Sequence, residues 1–131
     1  MPATGTVETV LTLHAALARK DMDTIRALVH PGIQVYQSSL LPWGGHYRGL
    51  AEFLEYTLKL GRSVEAVMET ERLIDAGERV VAVGTVRGRV AGGGPPFALA
   101  AVQVWSFRDG RVAALETHLD TPAMLRALGA S

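Results

Sequence analysis

The sequence predicts an α+β domain, with helices in its first half and an antiparallel sheet in its second, on three observations. Before Gly61 the apolar residues recur at helical spacing. After Gly61 the chain reads as runs rich in Val, Leu, Phe and Trp, separated by glycine- and proline-bearing breaks. The last two runs, FALAAVQVWSFRDGRVAALETHLD, are broken once at Asp109-Gly110. Asp-Gly between apolar runs signals a hairpin whose two central residues need positive φ. Each run is about ten residues, and at roughly 3.3 Å per residue such strands are long enough to twist and curve. A curved sheet has a concave side to be filled. The helices fill it, and whatever space they leave is room for a small molecule.

Taken in order, Val7, Val10, Leu11, His14, Leu17 and Ala18 share one face of a helix over 6–20, with Thr6 as its cap. His14 lies within that apolar stripe. A short second helix runs from Asp21 or Asp23 through Ile25, Leu28 and Val29 and stops at His30-Pro31-Gly32. A short strand covers 33–37, and a glycine-rich turn carries Trp43, His46 and Tyr47. Leu50, Phe53, Leu54, Thr57 and Leu58 make a third helix that Gly61 ends. Four strands follow, over 63–75, 79–90, 97–107 and 111–119. A last short helix opens at Thr121-Pro122 and stops at Gly129.

The totals exclude several classes of function. A chain of 131 residues is one domain, spanning 1–131, and buries a core without staples. There are 13 basic and 13 acidic residues, so no field attracts nucleic acid or an anionic bilayer. No disulfide is possible without cysteine, no apolar run is long enough to span a membrane, and the first ten residues lack a leader pattern. The expected location is cytoplasmic. The mean hydropathy of +0.18 is high for a small monomer, so a second copy is expected to cover part of the surface. Histidines at 14, 30, 46 and 118 form no ligand spacing, so no metal is expected. Gly92-Gly93-Gly94 leads into two prolines, which lack amide hydrogens, so it is a hairpin loop and not a phosphate cradle. No cofactor is expected.

Three stretches carry a resemblance. Ala15-Ala16-Leu17 with Asp21-Met22-Asp23 and Ala27-Leu28, then Tyr47-Arg48-Gly49, then Asp109-Gly110-Arg111-Val112, resemble the opening, third-helix entry and hairpin of one superfamily. It is that of nuclear transport factor 2, ketosteroid isomerase and the SnoaL-like polyketide cyclases. The resemblance implies a cone: N-terminal helices packed on a strongly curved antiparallel sheet that encloses a pocket. It implies no single reaction, because the superfamily includes isomerases, cyclases, dehydratases, epoxide hydrolases and binders.

Ketosteroid isomerases use an aspartate base with a tyrosine and a protonated aspartic acid as oxyanion donors. Laid against them, the tyrosine position falls at Leu13, the base at Gln37 and the acid donor at Gln103. Leucine donates no hydrogen bond and an amide abstracts no proton, so isomerase chemistry by those residues is excluded. Gln103 can still donate an N–H to a ligand carbonyl. Limonene epoxide hydrolases use an Asp-Arg-Asp set, and Arg87 and Arg89 have no aspartate beside them. The SnoaL-like cyclases carry His-x-Asp on the last strand, which His118-Leu119-Asp120 spells. Counted from Gly110, however, the isomerase-like register turns Leu115, Thr117 and Leu119 inward and His118 and Asp120 outward; a bulge would reverse this. Asp120 is also a natural cap for the tail helix, with Thr121 its rival.

The resulting expectation is a small-molecule enzyme of isomerase, cyclase or hydratase type acting on a mostly apolar carbonyl compound. Asp120 or His46 is the proton carrier and Gln103 the polarising group. Leu13, His14, Gln37, Trp43, Tyr56, Trp105, Leu115, Thr117 and Leu119 line the pocket. The alternative is a binder of the same fold that makes and breaks no bond. An imidazole or carboxylate pointing inward favours the enzyme, and amide, hydroxyl and apolar walls alone favour the binder.

Overall fold

The computed structural model describes residues 5–129. Two helices, α1 (Thr6–Arg19) and α2 (Met22–Leu28), lead into strands β1 (Val29–Gln37) and β2 (Gly45–Arg48). Helix α3 (Gly49–Ser63) is followed by the meander β3 (Val64–Asp75), β4 (Arg79–Val90), β5 (Pro96–Arg108) and β6 (Arg111–Leu119), and α4 (Thr121–Ala127) closes the described chain. All six strands form one sheet in the order β2-β1-β6-β5-β4-β3. It is curved and unclosed, with the helices packed on its concave face.

The meander follows the reading from sequence, and its last turn has the required backbone, with φ of 53° at Asp109 and 77° at Gly110. The first half differs in five respects. The glycine-rich turn contains β2, whose four residues pair antiparallel with Gln34 to Gln37. His30, Pro31 and Gly32 lie inside β1, where they make the irregular step between its two stretches of pairing with β6. That β1–β6 pair is parallel, so the sheet is mixed. Parallel neighbours need a long connection, which here is everything from β2 to β5. Finally, α1 is capped at Gly5 and not by the Thr6 side chain, and α3 continues through Gly61 to Ser63.

Curvature has a visible cause in β3 and β4. Glu71 is an extra residue between Thr70 and Arg72 in the β3–β4 ladder, a bulge that bends the strand. The bent β3 backbone passes so close to Gly84 that a Cβ there would overlap the carbonyl of Glu69. Gly88 meets Glu65 and Ala66 in the same way.

A second bulge sets which residues of β6 look inward. Phe107 pairs with Val112 and Trp105 with Leu115, leaving Ala113 as the extra residue. Val112 is fully buried, so strict alternation from it would carry Glu116 and His118 into the core. The bulge shifts the parity once. Leu115 and Thr117 are buried at 4% and 7% exposure, while Glu116 and His118 are exposed. Leu115 and Thr117 thus face inward and His118 outward, as the register counted from Gly110 places them, but a bulge produces this orientation and does not reverse it.

Candidate functional site

The interior is built from the inward residues of each element that faces it. On β1, Ile33, Val35 and Gln37 point inward in turn, and only the last is polar. Its amide oxygen accepts from two buried donors, Trp43 Nε1 at 3.0 Å and the Tyr56 hydroxyl at 2.8 Å. Trp43 is held by the tight turn between β1 and β2, where Leu41 N–H donates to the Ser38 carbonyl and the Tyr47 hydroxyl to the Trp43 carbonyl. Phe53 and Tyr56, three apart, are the buried residues of α3. Burial pushes the Tyr56 phenol up to about 12, only partly offset by the neighbouring Thr117 hydroxyl, so it remains a donor at neutral pH.

Across the interior stand four polar side chains whose buried atoms have no partner: His14 Nε2, Gln103 Oε1, Trp105 Nε1 and Thr117 Oγ1. Their proximity follows from the ladder and from α1. Gln103 lies directly opposite Thr117 on β5 and β6, and Trp105, two residues along the same face, lies opposite Leu115. Helix α1 sets His14 edge-on to the Trp105 ring, centroids 5.2 Å apart. Gln103 sits beside the same imidazole without closing a bond of good geometry. Leaving a buried polar atom unpaired costs about 1–3 kcal/mol, and folded proteins rarely leave several together. Four such atoms on α1, β5 and β6 are hydrogen-bonding capacity that the protein leaves unused.

Electrostatically the interior is neutral. None of the 13 acidic residues is buried. The half-buried Asp21 accepts from the backbone and hydroxyl of Thr24 and caps α2. Burial lowers the pKa of His14, with Gln103 opposing weakly, so its ring is uncharged at neutral pH. Among the described residues no three His, Cys, Asp or Glu side chains come together as a metal site.

The structure gathers most of the residues expected to line a pocket and leaves out the expected proton carriers. Leu13, Gln37, Trp43, Tyr56, Trp105, Leu115 and Thr117 are buried, and His14, Gln103 and Leu119 are half-buried. Asp120 is exposed, and its carboxylate accepts from Ala123 N–H at 3.0 Å. Of its two readings, the helix cap is the one the coordinates hold. His46 shares a ladder row with Tyr36 on the outer face, is exposed, and lies 2.9 Å from the Gln34 side chain. Strand alternation explains this, since Tyr47 takes the inward position. Hollows of about 260 and 350 Å³ also open on the outer face, around His118 and Val102 and around His46 and Tyr36. The polar interior is sealed from water.

Sequence reasoning missed that Gln37 is committed to two protein donors, and that among the described residues His14 is the ionisable group with an unpaired buried atom. The only signal for the second was an imidazole one residue past Leu13 on an apolar stripe.

A family model for the SnoaL-like domain matches residues 10–115. Among solved structures, an NTF2-like protein of unknown function from Burkholderia pseudomallei K96243 is 27% identical with a TM-score of 0.86, covering 98% of this chain and 100% of its own. TerC, co-crystallised with polyporic acid, is 23% identical with a TM-score of 0.83, over 95% and 98% of the two chains. A hypothetical protein with a ketosteroid isomerase-like fold from Catenulispora acidiphila DSM 44928, in complex with trimethylamine, is 16% identical with a TM-score of 0.78, over 97% and 96%. A search of curated proteins returns no match.

Proposed function

The chain belongs to the SnoaL-like domain family, and from that premise we propose that its interior takes a small, uncharged, mostly apolar carbonyl compound and reacts it without a cofactor. The observation that carries this is the set of four unpaired buried polar atoms on α1, β5 and β6. Their inventory describes the ligand. Trp105 Nε1 only donates, Gln103 Oε1 only accepts, and the Thr117 hydroxyl does either. A ligand carbonyl oxygen satisfies the donors, Trp105 Nε1 and the Thr117 hydroxyl, and Gln103 Oε1 takes a donor where the ligand carries one. No cation lies among them to balance an anion, and no carboxylate to balance an amine.

His14 is half-buried as a residue while its Nε2 is sealed. An inward imidazole favours the enzyme over the binder.

The test is a thermal-shift panel of cyclic and aromatic ketones beside carboxylates and amines of the same skeleton. The ketones are expected to raise the midpoint; stabilisation by the charged analogues alone would overturn the reading.

A second copy on the outer face belongs to the same proposal. Val81, Val83, Val102 and Val104 are half-buried there, beside Tyr36 at 50% and Val67 at 64% exposure. A light-scattering mass near 14.0 kDa at micromolar concentration would count against it.

A further inference from the structure

We infer that His14 is the proton-transfer residue of the interior site, its Nε2 taking a proton from the carbon beside the ligand's carbonyl while Trp105 Nε1–H holds the oxygen. This rests on the proposed interior site and deepens it.

Elimination and geometry both point to this ring. A base must be ionisable, reach the interior and have a free lone pair. Every carboxylate but Asp21 is exposed, and Asp21 is spent on its cap. Tyr56 donates to Gln37 and remains protonated. His14 Nε2 is interior and unpaired, and its ring stands 5.2 Å from the indole whose N–H is equally free. Base and oxyanion donor are thus on neighbouring rings, and removal of a proton next to a carbonyl requires both within reach of the ligand.

The surroundings keep the imidazole in the form that accepts a proton. On the interior face of β4 and β5 no residue is ionisable, from Val80 to Val90 and from Phe97 to Phe107 in alternate positions. On β3 only Asp75 is, exposed at the strand's end; from α2 the half-buried charge is Asp21. On α1 itself, Glu8, Arg19 and Lys20 are exposed. Burial therefore dominates and holds the ring neutral at pH 7.

The step balances without a co-reactant. The C–H bond breaks and an Nε2–H bond forms, giving imidazolium. The electron pair moves into the carbonyl, whose oxygen becomes an enolate oxygen hydrogen-bonded to Trp105. Return of the proton to the same carbon restores the ligand; return to a conjugated carbon isomerises it.

The experiment incubates the protein with 2-tetralone, 1-indanone and cyclohex-2-enone in D2O and follows loss of the C–H signals beside the carbonyl by proton NMR, with thermal shift on the same ketones. The native protein is expected to speed exchange of a ketone that raises its midpoint by about 10²–10⁴-fold over buffer, the usual worth of a positioned base. His14→Gln is expected to keep the thermal shift and exchange at the buffer rate, with His14→Asn as the second variant if the first fails to fold. Binding without accelerated exchange, or equal exchange by a folded His14 variant, would overturn the inference and leave the interior site standing. No thermal shift with any ketone would overturn the site itself.

Discussion

Replacing Gln37 with leucine is expected to destabilise the protein by about 2–6 kcal/mol, although the substitution fills a similar volume in a strand that is otherwise apolar on that side. Gln37 is 2% exposed, and its single amide oxygen is the acceptor for both Trp43 Nε1 and the Tyr56 hydroxyl. The two donors fix which end of the amide is oxygen. Leucine removes the acceptor and keeps both donors buried, at about 1–3 kcal/mol for each. Set against a total of about 5–15 kcal/mol for a domain, that is a large share. Chemical denaturation measures it. Adding Tyr56→Phe to Gln37→Leu should recover part of the loss, because one orphaned donor goes with it. A loss below about 1 kcal/mol would mean that the donors find other partners.

Gly84→Ala is expected to cost about 3 kcal/mol or to prevent folding, the upper end for forced overpacking. The clash is with backbone, at the Glu69 carbonyl and Thr70 Cα, and cannot be relieved by turning a side chain. Relief requires β3 to move off β4 where the Glu71 bulge bends it, which opens the curve that shapes the interior. Gly61→Ala is the contrast. Gly61 is helical with nothing within 4 Å of a new Cβ, so alanine there should stabilise by about 0.8–1 kcal/mol. Denaturation midpoints of the two variants moving in opposite directions is the expected result; equal losses would show that neither close approach nor helical propensity governs these positions.

How far the sequence discloses the fold depends on how local the determining physics is. The Asp109-Gly110 turn and the meander are legible because turn chemistry and strand composition act over a few residues. Strand β2 is not, because Gly45 to Arg48 looks like loop until Gln34 to Gln37 supplies its partner. Gly61 reads as a stop because glycine favours helix ends, and the structure overrides that propensity by continuing α3 two residues further. Inward parity of Leu115 and Thr117 follows from the superfamily register, but the Ala113 bulge that produces it has no signature in an alanine pair.

The candidate site divides along the same line. Which residues face the interior is predictable from alternation and helical spacing, and most of those expected there are buried. Proton carriers are not, because a carboxylate's role depends on burial. Asp120 and His46 carry the right chemistry, and the strand faces and the α4 cap point them away. His14 lacks any motif and gains its importance from the absence of a partner, which only three-dimensional packing reveals.

The proposed interior site rests on a difference between two indoles. Trp43 and Trp105 are the only tryptophans, and one donates to Gln37 while the other donates to nothing in the protein. A nitrogen-15 correlation spectrum shows one side-chain N–H signal for each, assigned by Trp43→Phe. On titration with a stabilising ketone, the Trp105 signal should move to the frequency of a hydrogen-bonded indole while that of Trp43 stays in place. A Trp105 signal indifferent to every ketone that stabilises the protein, with shifts confined to Trp43 or to outer-face amides, would contradict it.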